Sequence, residues 1–191
     1  AAARLRHPSI VRVFDFGETE KADPFIVMEV LGGPSLAEVI GRRGRLPATE
    51  AVRTLLPVVS ALSAAHAQGI VHRDLKPENV MLIRRGEDPD YVKVLDFGIA
   101  RIDWANQSMA TQAGLIFGTA KYISPEGAAG EGVGPAADVY SIATILYQSL
   151  AGRTPFEGDS PVALLVQHTH AAPPDRAALQ RDDSRDPARL A

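Results

Sequence analysis

His72 to Asn79 reads HRDLKPEN, and Asp96 to Gly98 reads DFG. Between them, Val80 to Ile83 (VMLI) and Tyr91 to Leu95 (YVKVL) are short apolar runs joined by the charged stretch RRGEDPD. Such runs predict a hairpin of two buried strands. The polar motifs on either side of it contain two aspartates, a lysine and an asparagine, a set of hard oxygen donors with one cation.

Working outward, Ile10 to Phe16 (IVRVFDF) and Pro24 to Val30 (PFIVMEV) predict a strand, turn, strand unit around the polar ETEKAD. Gly32, Gly33 and Pro34 end it, and Ser35 can cap a short helix through Ile40. GRRGRLP then reads as a solvated basic connector. Pro47 suits the first turn of a long core helix, with Val52, Leu55, Leu56, Val59 and Leu62 on the buried face and Gly69 as its stop. Pro57 inside that helix is expected to kink it. Arg101 to Gly118 has no period and predicts a long surface loop. Ala137 to Ala151 is a second apolar helix, stopped by Gly152 and Pro155, and the stretch from Ala171 onward predicts a loop or frayed tail.

At 191 residues, 46% hydrophobic and 23% charged, the chain is long enough for one globular domain with a sizeable core. A net charge of -3 gives no basic field for nucleic acid or an anionic membrane. The absence of cysteine excludes disulfides, thiolate metal sites and a cysteine nucleophile, and is compatible with a reducing cytoplasm. No apolar run is long enough to span a bilayer, and AAARLRHPSI lacks the order of a signal peptide. A cytoplasmic chain without a membrane segment is the expectation.

Phosphoryl transfer from ATP requires divalent ions on the phosphates, a carboxylate to orient the attacking hydroxyl and a cation to follow the moving charge. HRDLKPEN followed by DFG supplies all three. With GTAKYISPE from Gly118 to Glu126 in the same order, the chain from residue 4 to about 173 resembles the eukaryotic-type protein kinase family, in a bacterial-like form. The resemblance implies an α+β protein-kinase-like fold, a mostly helical C-lobe with the last strands of an N-lobe. It implies that Asp74 accepts the substrate hydroxyl's hydrogen bond, that Lys76 stabilises the transferring phosphoryl, and that Asn79 and Asp96 hold Mg2+. Lys76 and Thr119 resemble the serine/threonine branch, so the implied partner is a protein substrate with a Ser or Thr acceptor. Ser124 and Glu126 stand where the family has APE. Asp138 would accept backbone hydrogen bonds from the HRD turn, or serve as a helix N-cap.

FIVMEVLGG, residues 25 to 33, resembles the hinge over which ATP places its adenine. Met28 would be the gatekeeper, Glu29 and Leu31 would present backbone groups to the adenine edge, and Met81 would form the floor. His72, Phe97 and Val13 fit an internal spine, with His72 structural. Arg73 resembles the arginine of kinases switched on by a phosphate in the activation loop. Thr111 is the first candidate phosphosite and Ser108 the second, with self-association as a route to modifying them; unmodified polar loop residues are the alternative. His7 and His66 read as packing residues, and the HTH pair His168 and His170 lacks the further ligands of a metal site.

The family's glycine-rich loop, strand lysine and helix glutamate are not found. The first lysine is Lys21, in a turn, and Gly41 and Gly44 do not form a nucleotide loop. DRAALQRDDSRDPARLA does not match the family's later helices, and the spacing of Arg185 or Arg189 does not mark either as the partner of Glu126. The expectation is a partial kinase domain truncated at both ends. Residues 1–173 form the domain, with 1–31 as N-lobe remnant and hinge and 32–173 as C-lobe, and residues 174–191 form an irregular tail. Its parent function is ATP-dependent phosphorylation of protein Ser/Thr, with little turnover by this chain alone; a noncatalytic binding module is the alternative.

Overall fold

Both apolar hairpins form. The computed structural model describes residues 5–21, 23–85, 88–97 and 118–174. Strand β1 (Val13–Glu18) pairs antiparallel with β2 (Pro24–Met28), and β3 (Val80–Arg85) pairs with β4 (Asp88–Val94). In the second pair Val80 faces Val94 and Leu82 faces Val92, and all four side chains are buried. Alternation thus sends one face of the hairpin into the core. Its strands run further than their apolar runs suggest, because backbone pairing continues to Arg85 and Asp88 past a register shift.

The run IVRVFDF is divided between two tasks. Ile10 and Val11 are buried beside β4, where Val11 N–H donates to the Val94 carbonyl (2.9 Å) and Val94 N–H to the Ser9 carbonyl (2.8 Å). Strand β1 therefore starts at Val13, not Ile10, and its Phe14 and Phe16 are exposed.

Helix α1 (Leu36–Arg43) opens on a capping box: Glu38 N–H donates to Ser35 Oγ (3.2 Å) and Ser35 N–H to Glu38 Oε2 (2.7 Å). Such a cap is worth about 1 kcal/mol. The helix continues three residues past Ile40, so Gly41, Arg42 and Arg43 are helical and not connector. Two arginines in the last turn complement the helix dipole, and Arg43 also pairs with Glu50.

Helix α2 (Ala48–His66) follows Pro47, which sits at the N-cap, and runs through Pro57 without ending. Its buried stripe is Ala51, Thr54, Leu55, Val58, Ala61, Leu62 and Ala65, a three-four spacing with three alanines. Val52, Leu56 and Val59, expected on the buried face, are exposed instead. Large side chains suggest the wrong stripe here; small ones let α2 approach its neighbour closely. That neighbour is α4 (Pro135–Ala151), ended by Gly152 in the left-handed conformation. A short α3 (Pro125–Ala128) and α5 (Pro161–His170) pack together beside it. Asp138 lies in the first turn of α4, but Gly134 is the N-cap, so the capping alternative for Asp138 falls.

Gly33 is required where the segment after β2 crosses β3. Its φ is 151°, and a Cβ there would stand 2.1 Å from the Leu82 carbonyl oxygen. Leu82 N–H meanwhile donates to the Pro34 carbonyl (2.9 Å), which docks α1 against the hairpin.

Candidate active site

Helix α4 fixes the turn that carries Asp74. The Asp138 carboxylate is 1% exposed; its Oδ2 accepts from His72 N–H (2.9 Å) and His66 Nε2 (2.7 Å), and its Oδ1 from Arg73 N–H (2.9 Å). A buried carboxylate needs such donors to offset its lost hydration. Arg73 lies in the left-handed region at φ 72°, which an L side chain enters at a cost of about 1 kcal/mol or more. The Asp138 bonds hold that conformation.

His72 is fully buried. Its Nε2 lies 2.8 Å from the Leu95 carbonyl, which can only accept, so the proton is on Nε2. Burial pushes its pKa below the ordinary value against the opposing pull of Asp138. The ring lies 4.8 Å from that of Phe97, while Val13 is only partly buried in β1. A neutral, enclosed imidazole of this kind is a strut.

Asp74, Lys76 and Thr119 meet. Lys76 Nζ donates to Asp74 Oδ2 (2.9 Å), Thr119 Oγ1 donates to Asp74 Oδ1 (3.0 Å), and Lys76 Nζ is 3.3 Å from Thr119 Oγ1. Both carboxylate oxygens are thereby oriented, while Asp74 keeps partial exposure. Asn79, from a 3-10 turn at Pro77–Asn79, donates its Nδ2 to the Asp74 carbonyl (2.9 Å), which leaves its carboxamide oxygen for another partner.

Leu95 N–H donates to the Asn79 carbonyl (2.9 Å), so the two ends of the β3–β4 hairpin bring Asp96 to the Asn79 side of the site. Asp96 is exposed and strained at φ 59°. Among the described residues no group of three or more His, Cys, Asp and Glu could hold a metal. Asn79 and Asp96 offer two hard oxygens, a set that fits magnesium completing its shell with phosphate oxygens and water.

Glu29, within residues 25–33, belongs to an ion pair that sequence reasoning missed. Lys93, 9% exposed on β4, donates to Glu29 Oε1 (2.5 Å) and to the Ile10 carbonyl (3.1 Å), and Arg12 N–H donates to the same Glu29 oxygen (2.7 Å). Burial raises the Glu29 pKa, but its bonds to Lys93 and Arg12 outweigh this and hold it below the ordinary value. A lysine within the apolar alternation YVKVL is the signal that could have pointed to it. Met28 ends β2, Leu31 is partly buried, and Met81 on β3 bridges to Ser35, the N-cap of α1. Thr111 and Ser108 lie outside the described residues.

A cavity of about 370 Å³ opens between α1, α4 and the segment 118–122, lined by Ile40, Glu78, Tyr122 and Gln148 among others. Tyr122 O–H donates to Gln148 Oε1 (2.7 Å), and burial with the Glu78 charge raises the pKa of that phenol. His168 is buried between Tyr140 and Phe156, whereas His170 is exposed. Among the described residues no helix is long and apolar enough to cross a membrane.

Residues 1–185 match the family described as Protein kinase domain. The chain is 44% identical over 98% of its length to serine/threonine-protein kinase pkn3 of Myxococcus xanthus, covering 35% of that protein. It is 43% identical over 90% of its length to the probable serine/threonine-protein kinase PknB of Corynebacterium glutamicum, covering 26% of it, and equally similar to PknB of Mycobacterium leprae, covering 27%. The chain thus spans about a third or less of these relatives. The α+β architecture, with helices beneath small antiparallel sheets, is that of a protein kinase domain. This chain belongs to the serine/threonine protein kinase family.

Proposed function

We propose that the chain carries the phosphoryl-transfer centre of a kinase that modifies Ser or Thr of protein substrates. The observation behind this reading is the Asp74 carboxylate held between Lys76 and Thr119. Asp74 accepts the hydrogen bond of the substrate hydroxyl and aims its oxygen. Lys76 follows the charge of the moving phosphoryl, and Thr119 orients both. Asn79 and Asp96 hold the divalent ion through oxygen. Bound ATP with magnesium supplies the phosphoryl group and neutralises its charge. Met28, Glu29, Leu31 and Met81 bound the adenine, with the Lys93 ion pair fixing the hinge. Arg73, exposed beside Asp74, receives a phosphate on Thr111 or Ser108, delivered by a second copy.

The 191 residues contain no glycine-rich loop and no strand lysine ahead of residues 25–33. That observation favours low turnover by this chain alone, and it keeps a noncatalytic docking lobe as the second reading. Phosphorylation of a Ser/Thr peptide with magnesium and ATP tests the two. It is measured on the chain alone and on the chain joined to a glycine-rich loop and lysine strand from a kinase of the family. Transfer by the joined form, lost in Asp96→Asn, supports the kinase reading. A folded joined form without transfer favours the docking lobe.

A further inference from the structure

One lysine stands in the apolar alternation of β4. Val92 and Val94 send their side chains into the main core, so Lys93 between them points to the opposite face of the hairpin. Its ladder partner is Met81, and residues directly opposite in an antiparallel pair share a face. That face is covered, with Lys93 buried and Met81 partly buried. The ammonium is satisfied there by acceptors from two other segments, Glu29 Oε1 (2.5 Å) and the Ile10 carbonyl (3.1 Å).

Glu29 passes this tie on to the backbone. Its Oε1 also accepts from Arg12 N–H (2.7 Å), and its own N–H donates to the Arg12 carbonyl (2.9 Å). Residues 30–33 thus run between two fixed points: Glu29, tied to β4 through Lys93, and Pro34, whose carbonyl accepts from Leu82 N–H of β3 (2.9 Å). Val30 between them is 97% exposed, so little packing adds to the hold at the ends. A buried ion pair gains little net stability over an apolar filling of the same volume, so its effect lies in placement. We propose that Lys93 is a positioning residue for the nucleotide base: it holds the backbone of Glu29 to Leu31 at a fixed spacing from Met81, so that one side chain sets both the edge and the floor of the base slot. The inference deepens the kinase reading, on which it rests for the identity of the base. Lys93 acts through Glu29 and its ladder partner, by ordering the slot before the base enters.

Adenosine, which carries the base without phosphates, is the probe. In the joined form used for transfer, Lys93→Met fills the same volume but donates nothing. It is expected to raise the dissociation constant for adenosine and the KM for ATP about fivefold each, with kcat within about twofold of wild type. In the 191-residue chain, amide exchange of residues 29–32 is expected to speed up about fivefold in the same variant. Unchanged adenosine binding in Lys93→Met, unchanged exchange, or a fall in kcat as large as the rise in KM overturns the proposal; the last would mark a general loss of structure. If Lys93→Met does not fold, the double change Glu29→Gln with Lys93→Met, which leaves neither charge of the pair buried alone, takes its place in every arm. A wild-type joined form that binds no adenosine, with exchange in the chain as expected, defeats the kinase reading of residues 25–33 and leaves the backbone hold standing.

Discussion

Asp138 accepts the backbone N–H groups of His72 and Arg73 at 2.9 Å each, so the first turn of α4 dictates the shape of the loop that presents Asp74. Asp138→Asn turns one acceptor into a donor facing an N–H or His66. Because the site is buried, the loss of stability is expected to be about 2–4 kcal/mol. Urea unfolding of the two forms reads it; a difference below about 0.5 kcal/mol removes Asp138 from this role.

Lys93 and Glu29 form the second polar link, between β4 and the segment that follows β2. Glu29→Gln leaves a buried ammonium with a weaker partner and is expected to destabilise more than the double change Glu29→Gln with Lys93→Met. A double-mutant cycle should show coupling of about 1 kcal/mol or more, and additive effects would mean that the pair is slack.

The segment between β2 and α1 also depends on one backbone geometry. Gly33→Ala drives a Cβ into the Leu82 carbonyl at positive φ, whereas Gly32 has nothing within 4 Å. Gly33→Ala is expected to cost about 3 kcal/mol or more and Gly32→Ala less than about 1 kcal/mol. Thermal unfolding distinguishes them, and equal effects would contradict the close crossing.

Two buried imidazoles set the acid response. The pKa of both His72 and His168 lies below the 6.5 of a free side chain, lowered by burial. The unfolded chain therefore binds more protons as pH falls through 6.5, and stability present above that value is lost on the way down to the folded pKa. Asp138, Asp74 and Asp96 face His72 and lessen its share, and the Tyr140 hydroxyl lies 2.8 Å from His168 Nδ1. The urea midpoint is expected to fall between about pH 7.5 and about pH 5.5, and to fall less in His168→Phe. An unchanged midpoint would place both rings in water.

The sequence is most legible where chemistry and local geometry coincide. HRDLKPEN, DFG and GTAKYISPE identify the family, Ser35 identifies the start of α1, and Gly152 the end of α4. Asp138 is legible through family resemblance alone, since nothing local distinguishes it from a cap. What stayed hidden depends on tertiary burial. The alanines of α2 mark its inner face less visibly than Val52, Leu56 and Val59 mark the outer one. Lys93 pairs with a residue 64 positions away, and His168 with Tyr140, 28 positions away. Strand pairing past Ile83 comes from the partner strand, so charge in RRGEDPD conceals it.

Single-turnover phosphoryl transfer by the joined form, with ATP binding followed separately, tests the central assignment most directly. Asp74→Asn is expected to bind magnesium and ATP as before, yet to transfer phosphate to a Ser/Thr peptide at least about a hundredfold more slowly. Transfer at the wild-type rate in Asp74→Asn would contradict the role given to the carboxylate between Lys76 and Thr119.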